Sequence, residues 1–216
     1  MKKEKKFDLS LAIILIAAFV LWTAAVCIID VKPVGPLESE IGMALINIFF
    51  HELTGVNMSL YVLTDWLGLV PICIAAGFAL SGLKQWIGRK SILKVDRNLF
   101  VLGGFYVVVM TVFVFFEIFV INYRPVLIEG MLEASYPSST TMLTLCVMPT
   151  AVMQLKERIK NIKIKRCIVA VMEFFTVSMV VLRFVSGVHW FSDIIGGILI
   201  SSGFVMLYKA VVNADI

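Results

Sequence analysis

The stretch Arg183-Phe-Val-Ser-Gly-Val-His189-Trp-Phe-Ser-Asp193 joins two strongly apolar segments near the end of the chain. It contains a guanidinium, an imidazole and a carboxylate, and His189 is one of only 2 histidines in the protein. Sequences that cross a bilayer exclude such groups unless they have a function, because burying an unpaired charge there is costly. The stretch therefore indicates a functional site where two membrane-spanning helices meet.

Composition places the whole chain among the polytopic membrane proteins. Of its 216 residues, 60% are hydrophobic, and the mean hydropathy of +0.98 lies far outside the range of soluble globular proteins. We expect an all-α protein in which one domain, residues 1–216, forms a six-transmembrane helix bundle. The six apolar segments lie near residues 9–29, 66–83, 99–122, 138–155, 167–186 and 194–213.

A further segment, Ile41–Leu63, is apolar but also contains His51 and Glu52. This mixture is typical of a helix that lies in the plane of the membrane interface. We therefore expect an additional amphipathic helix at the outer leaflet.

The basic residues predict the orientation, because cytoplasmic loops are enriched in Lys and Arg. In a six-span arrangement, all but three of the 19 Lys and Arg lie on the side of the two termini, the exceptions being Lys32, Arg124 and Arg183. Both termini are thus predicted to be cytoplasmic and His189 to lie on the outer face. The net charge of +4 reflects this topology and contact with anionic headgroups, not binding of nucleic acid. Small size and short loops favour a bacterial plasma membrane.

Two other polar segments fall on the same side as His189. Arg124 precedes a proline at the end of the third span, so it is expected to leave the helix and reach the headgroup layer. The fourth span begins with Tyr136-Pro137-Ser138-Ser139-Thr140-Thr141. A proline followed by hydroxyl residues starts a helix, and the free N–H groups of that end can bind an anion. Taken alone, a snorkelling arginine and simple helix capping would explain both segments.

Taken together, the three segments indicate phosphate chemistry. His189 and Asp193 are four residues apart and are expected to share a helix face, so that Asp193 accepts one ring N–H and leaves the other nitrogen free to attack. Gly187 allows the chain to reverse and bring Arg183 near. Two arginines, a helix N-terminus and an oriented imidazole are suited to gripping and transferring a phosphoryl group. The alternative for His189 and Asp193 is a buried pair that only ties two helices together.

This pattern resembles the type-2 phosphatidic acid phosphatase superfamily, integral-membrane lipid phosphatases related to vanadium haloperoxidases. The motifs of that family are Lys, six residues, Arg-Pro; then Pro-Ser-Gly-His; then Ser-Arg, five residues, His, three residues, Asp. The chain matches them at Arg124-Pro125, at Pro137-Ser138, and at Arg183, His189 and Asp193. Leu182 stands in place of the serine of the third motif.

The resemblance implies a metal-independent phosphatase without a cofactor, acting on a phosphorylated membrane lipid. His189 would attack phosphorus and form a phosphohistidine, Asp193 would orient the imidazole, and water would hydrolyse the intermediate. The groups that would hold the phosphate are Arg124, Arg183, Ser138, Ser139, Thr140 and nearby backbone amides. The oligomeric state and the identity of the lipid are not implied.

Two positions depart from the family pattern. Glu117 stands where the family has lysine, about two helical turns before Arg124, and Thr140 stands where the family has the histidine that protonates the leaving oxygen. Glu117 is therefore a candidate substitute acid or a modulator of the charge in the pocket. Three further candidate acids are Glu129, Glu133 and His51.

The missing acid bears on the substrate, since a positioned general acid is worth about 10² to 10⁴ in rate. An alkoxide leaving a phosphate monoester needs such help more than a phosphate leaving a diphosphate. We therefore expect a polyprenyl diphosphate type of lipid to be preferred over a phosphatidic acid type. The alternative is a catalytically silent relative that binds a phosphorylated headgroup or acts as a scaffold. The presence together of His189, Asp193 and both arginines favours the enzyme.

Overall fold

A computed structural model describes residues 2–212 and shows them to be almost entirely helical. The carboxyl end of the last predicted span, residue 213, lies outside the described residues. Eight α-helices occur in the described part. They are α1 (Lys2–Ile28), α2 (Ala44–Thr54), α3 (Met58–Leu67), α4 (Leu69–Arg89), α5 (Arg97–Ile118), α6 (Ser139–Arg158), α7 (Ile162–Val185) and α8 (Phe191–Val212).

Five helical segments are long and apolar enough to cross a membrane, so the predicted membrane class is confirmed. They are α1, α5, α7, α8 and the 32-residue segment Met58–Arg89, in which α3 and α4 join at Gly68. Helix α6 corresponds to the predicted span 138–155 but is not among the five. Four polar residues on its buried face lower its mean hydropathy. They are Thr141, Thr144, Thr150 and Gln154. A count of six spans thus stays a prediction.

Helix α8 lies at the centre of the bundle and packs closely on α1 and α6. Glycines permit this approach at two levels. A Cβ at Gly203 would lie 2.8 Å from the side chain of Ile16 in α1, and one at Gly196 would lie 2.6 Å from the ring of Tyr136. The first residues of α8 are consequently held in a fixed position against the segment that precedes α6.

The segment Ile41–Leu63 is not one continuous helix. Helix α2 ends at Thr54, and α3 begins after Asn57, whose side chain accepts the N–H of Leu60 at 3.0 Å. An asparagine at this position caps a new helix, and α3 then continues into the α4 span. Only α2 therefore stands apart from the spans, and its position at an outer leaflet stays a prediction.

The two ends of the bundle differ in charge. At one end α5 and α7 finish while α6 and α8 begin, and this end includes Arg124, Arg183 and His189. The opposite end is marked by the Lys209–Asp8 ion pair of 3.0 Å, which joins the last turn of α8 to the first turns of α1. Most of the basic residues lie at this opposite end: those near the start of α1, between α4 and α5, and between α6 and α7. Which end faces the cytoplasm stays a prediction.

Candidate active site

An irregular hairpin connects α5 to α6 across the polar end of the bundle. Helix α5 ends at Ile118, before the predicted limit at residue 122, so Arg124 lies outside the helix as the following proline predicts. The amide N–H of Ser135 donates to the carbonyl of Asn122 at 2.9 Å and so places Ser135 opposite the beginning of the hairpin. Two bridges between its arms define the hairpin, Tyr123 with Ala134 and Ile128 with Met131.

His189 lies in the tight turn between α7 and α8 and is only 3% exposed. Gly187 makes the reversal with a φ of +66°, a conformation that favours glycine. The neighbouring backbone also requires glycine, because a Cβ here would lie 1.7 Å from the carbonyl oxygen of Gly55. The turn that presents His189 is thus packed directly on the end of α2.

We expect Gly187→Ala to destabilise the protein by more than about 2 kcal/mol, because the new methyl group meets backbone atoms that cannot move aside. Thermal unfolding of the purified protein in detergent measures this. Gly130→Ala is the matched control, since Gly130 has a similar φ of +79° but open space where the Cβ would stand. Equal losses in the two variants would show that the dihedral angle alone, and not the contact with Gly55, restricts position 187.

Asp193, the third residue of α8, is completely buried. Its Oδ2 accepts the backbone N–H of Trp190 at 2.8 Å, the arrangement by which an acidic side chain in the first turn caps a helix. Its Oδ1 accepts a weaker bond from the side-chain amide of Asn122 at 3.4 Å. The carboxylate is therefore fixed against the turn that contains His189.

The predicted direct bond between Asp193 and His189 is not formed. Nδ1 of His189 lies 3.8 Å from Oδ2 of Asp193, beyond hydrogen-bonding distance. The hydroxyl of Ser135 stands between them, 3.0 Å from Nδ1 and also hydrogen-bonded to Oδ2. The reason is that His189 precedes the first turn of α8, so the helical rule for residues four apart does not apply. Sequence reasoning missed Ser135, whose only signal is its place two residues before Pro137.

Two buried arginines face the same aromatic ring, another feature that the sequence did not reveal. The guanidinium carbon of Arg183 lies 4.8 Å from the centre of the Tyr61 ring, and that of Arg124 lies 5.6 Å from it. Arg183 is 1% exposed and donates to the hydroxyl of Thr64 at 3.1 Å. Arg124 is 8% exposed and pairs with Glu133 at 3.1 Å. Arg124 is therefore part of a buried pocket. The expectation that it reaches the headgroup layer was wrong.

The environment of His189 keeps its imidazole neutral. Burial, and after it the positive charges of Arg124 and Arg183, hold the pKa of His189 well below its ordinary value. A neutral ring whose Nδ1–H is hydrogen-bonded has its lone pair on Nε2, the form that a nucleophile requires. Arg124 and Arg183 both face the Tyr61 ring and both lower the pKa of His189, so Arg124, although distant in sequence, lies near the segment that contains Arg183 and His189.

We call the side chains of Arg124, Arg183 and His189 the arginine cluster. Several buried polar atoms of these residues and of Ser138 have no hydrogen-bond partner within residues 2–212. They are Nε2 of His189, Nη1 of Arg124, Nε of Arg183 and Oγ of Ser138. An unpaired buried polar group costs about 1–3 kcal/mol, so such a concentration is unusual outside a binding site. Three of the four atoms are or can be donors, and two of them belong to positively charged guanidinium groups, which suits an anion with several oxygens.

Comparison with known proteins identifies the family. The family model described as the PAP2 superfamily matches residues 73–216. The chain belongs to the PAP2 superfamily. The resemblance noted in the sequence is thereby confirmed, and family membership supports a membrane lipid phosphatase at the family level. No curated protein sequence matches the chain.

The PAP2 fold is also evident in a solved structure, that of a transmembrane PAP2-type phosphatidylglycerolphosphate phosphatase from Bacillus subtilis. The two chains are 16% identical and align over 95% of this chain and 97% of the other, with a TM-score of 0.58. At this level of identity the similarity establishes a common fold. A common fold does not determine the substrate, which depends on the residues of the site.

The residues of the second PAP2 motif occupy two different places. Ser138 is fully buried and donates its backbone N–H to the carbonyl of Asp193 at 3.1 Å, so its hydroxyl and not its amide is available. Ser139 and Thr140 line a cavity of about 430 Å³ between α4, α5 and α6. Among the described residues the structure gives these two side chains no hydrogen bond to His189 or to either arginine. Their predicted role in phosphate binding stays a prediction.

The residues considered as substitutes for the missing PAP2 acid are dispersed. Glu117 is exposed near the end of α5, and its charge acts on Arg124 without an ion pair among the described residues. Glu129 is exposed at the tip of the hairpin, whereas Glu133 contacts Arg124 directly. The ring of His51 packs 5.3 Å from that of Trp190. Of the four, Glu133 is the one that touches a residue of the cluster.

Proposed function

We propose that the protein is a lipid phosphatase that hydrolyses a phosphorylated membrane lipid through a phosphohistidine at His189. One observation carries this proposal: the buried imidazole of His189 has an unpartnered Nε2, and two buried guanidinium groups that lower its pKa, those of Arg124 and Arg183, have unpaired donors. Membership in the PAP2 superfamily supports the same activity at the family level. A lone structural histidine would need neither arginine.

The first chemical step is transfer of the terminal phosphoryl group to His189. Arg124 and Arg183 bind the phosphate oxygens and neutralise the charge that develops on them. The Nε2 lone pair forms a bond to phosphorus while the bond from phosphorus to the bridging oxygen breaks. The leaving group departs with that electron pair as a lipid phosphate or, for a monoester, as an alkoxide that needs a proton.

The second step is hydrolysis of the phosphohistidine. The oxygen of a water molecule attacks phosphorus, and the electron pair of the P–N bond returns to Nε2. Both protons of the water leave with the released phosphate. The imidazole is then neutral again and ready for the next lipid.

The cavity between α4, α5 and α6 gives the lipid a route from the membrane. Its walls are mainly apolar, and Ser139, Thr140 and Asp65 supply polar groups. Asp65 lies 3.8 Å from Nη1 of Arg183, so the cavity adjoins the arginine cluster. A hydrocarbon chain fits the apolar part while the phosphate reaches the arginines. Because this end of the bundle is opposite the basic end, we propose that the reaction occurs at the outer leaflet with both termini cytoplasmic.

We expect a lipid diphosphate to be turned over at least about 100-fold faster than a lipid monoester of equal chain length, because threonine at position 140 cannot supply the proton that an alkoxide needs. Phosphate release by the purified protein from a polyprenyl diphosphate and from a phosphatidic acid measures the ratio. Equal rates on both substrates would contradict the preference and point to a substitute acid. Glu133→Gln would then test the candidate that touches Arg124.

A second function is favoured by a specific observation, the replacement of two family residues by Glu117 and Thr140. A silent relative would bind a phosphorylated headgroup at the arginines and release no phosphate. Mixing the purified protein with lipid diphosphate labelled with ³²P in its terminal phosphate, followed by rapid quenching in alkali, distinguishes the two. The proposed enzyme gives an acid-labile, alkali-stable label on the protein together with free phosphate. Tight binding of the lipid with neither product would support the silent protein.

A further inference from the structure

The hydroxyl of Ser135 is hydrogen-bonded to the side chains of both His189 and Asp193. It lies 3.0 Å from Nδ1 and is hydrogen-bonded to Oδ2, whereas the two side chains themselves are 3.8 Å apart. Ser135 is 3% exposed, so water does not compete freely for either bond. Neither the family motif nor the spacing of the third segment includes this residue.

Chemistry fixes the direction of both bonds. An ionised carboxylate has no proton to give, so the Ser135 O–H donates to Asp193. The remaining lone pairs of the same oxygen accept the Nδ1–H of His189. This order leaves the imidazole in the tautomer with a free Nε2, which is the tautomer that the phosphoryl transfer needs.

We propose that Ser135 is a positioning residue that couples Asp193 to His189 through its hydroxyl, and this inference rests on the proposed phosphatase function. As Nε2 gains its bond to phosphorus, the ring becomes positive and its Nδ1–H becomes a stronger donor. The stronger bond from Nδ1–H polarises the Ser135 hydroxyl, and its own hydrogen bond to Oδ2 of Asp193 becomes stronger as a result. No proton leaves any of the three groups in this step.

The surroundings of Ser135 are built to hold the hydroxyl in place. Its amide donates to the Asn122 carbonyl at 2.9 Å, and the side chain of Asn122 donates to Oδ1 of the same Asp193 at 3.4 Å. Asn122 is itself fixed, since its side-chain oxygen accepts the N–H of Gly42 at 3.2 Å. Ser135 and Asn122 therefore both connect the hairpin to Asp193 at the start of α8. These connections fix the position of the Ser135 hydroxyl oxygen.

The test separates positioning from simple packing. In Ser135→Ala we expect kcat on a lipid diphosphate to fall about 10- to 100-fold while KM changes less than about threefold, because the arginines that bind the phosphate are untouched. The loss is expected to be partial because Asp193 stays fixed by the N–H of Trp190 and by the side chain of Asn122. Ser135→Thr retains the hydroxyl and is expected to recover most of the rate. Ser201→Ala is the matched control and keeps the wild-type rate, because Ser201 is a buried serine of α8 that lies away from the turn of His189 and whose hydroxyl donates to the Met142 carbonyl at 3.3 Å.

Each outcome is decisive. If Ser135→Ala retains the wild-type kcat while His189→Ala is inactive, the positioning role is overturned and the phosphatase function stands. If KM rises and kcat stays constant, Ser135 serves substrate binding and the inference also fails. If Ser135→Ala and Ser135→Thr lose activity and thermal stability equally, the serine is needed for packing alone. Absence of phosphate release by the wild type overturns the proposed function and this inference together.

Discussion

Replacing His189 with alanine is expected to lower phosphate release from a lipid diphosphate by at least about 10⁴-fold, the largest effect of any single change in this protein. The reason is that the covalent route disappears: no other described side chain offers an unpartnered imidazole nitrogen beside both arginines. Rapid-quench labelling with terminal ³²P measures the same loss directly, since the acid-labile label on the protein should vanish along with turnover.

The second histidine of the chain gives this experiment a built-in comparison. His51→Ala is expected to keep the acid-labile label, because His51 packs on Trp190 and is not part of the arginine cluster. A label that persists in His189→Ala and vanishes in His51→Ala would move the nucleophile to His51 and overturn the assignment. Thermal unfolding of both variants shows whether either loss comes from misfolding.

Replacing Arg183 is expected to give the next largest loss of activity, and this loss should occur without a loss of stability. Arg183→Met should lower kcat/KM about 10³-fold, because a buried donor to the transferring phosphoryl group is lost. The fold should not suffer. Arg183 is 1% exposed, and its positive charge shares the Tyr61 ring with Arg124. Replacing a buried charge by an apolar side chain of similar length is often neutral or stabilising.

The measurements for Arg183 are kinetics on a lipid diphosphate and thermal unfolding of the same preparation. Arg158→Met, at the opposite end of the bundle where Arg158 bonds Gln154 at 3.1 Å, controls for the loss of an arginine and should keep the wild-type rate. An unfolding temperature that falls along with activity in Arg183→Met would mean that Arg183 supports the fold. Unchanged kinetics would remove it from the site.

Sequence patterns were sufficient for features set by local chemistry. Hydropathy located the five helical segments that are long and apolar enough to cross a membrane, because a bilayer imposes their length and apolarity. The proline after Arg124 placed that residue outside α5, and the spacing of Arg183, His189 and Asp193 pointed to the turn between α7 and α8 as a candidate site. The family model then confirmed the superfamily to which these residues belong.

What the sequence could not provide depends on how distant segments pack. Tyr61 and Ser135 have no motif around them, and they enter the site because α3 and the α5–α6 hairpin fold over the same end of the bundle. The break between α2 and α3 was missed because hydropathy is similar on both sides of Gly55. The helical rule misjudged His189 and Asp193, since it assumes that both residues are already within the helix.

The carboxylate of Asp193 has two tasks, because the oxygen that meets Ser135 also closes the first turn of α8 by accepting the N–H of Trp190. A related protein that had lost phosphatase activity would still need this aspartate to stabilise the fold. Its presence in such a protein would say little about turnover. Arg183 is the better marker of catalytic activity, because the fold does not require this buried positive charge.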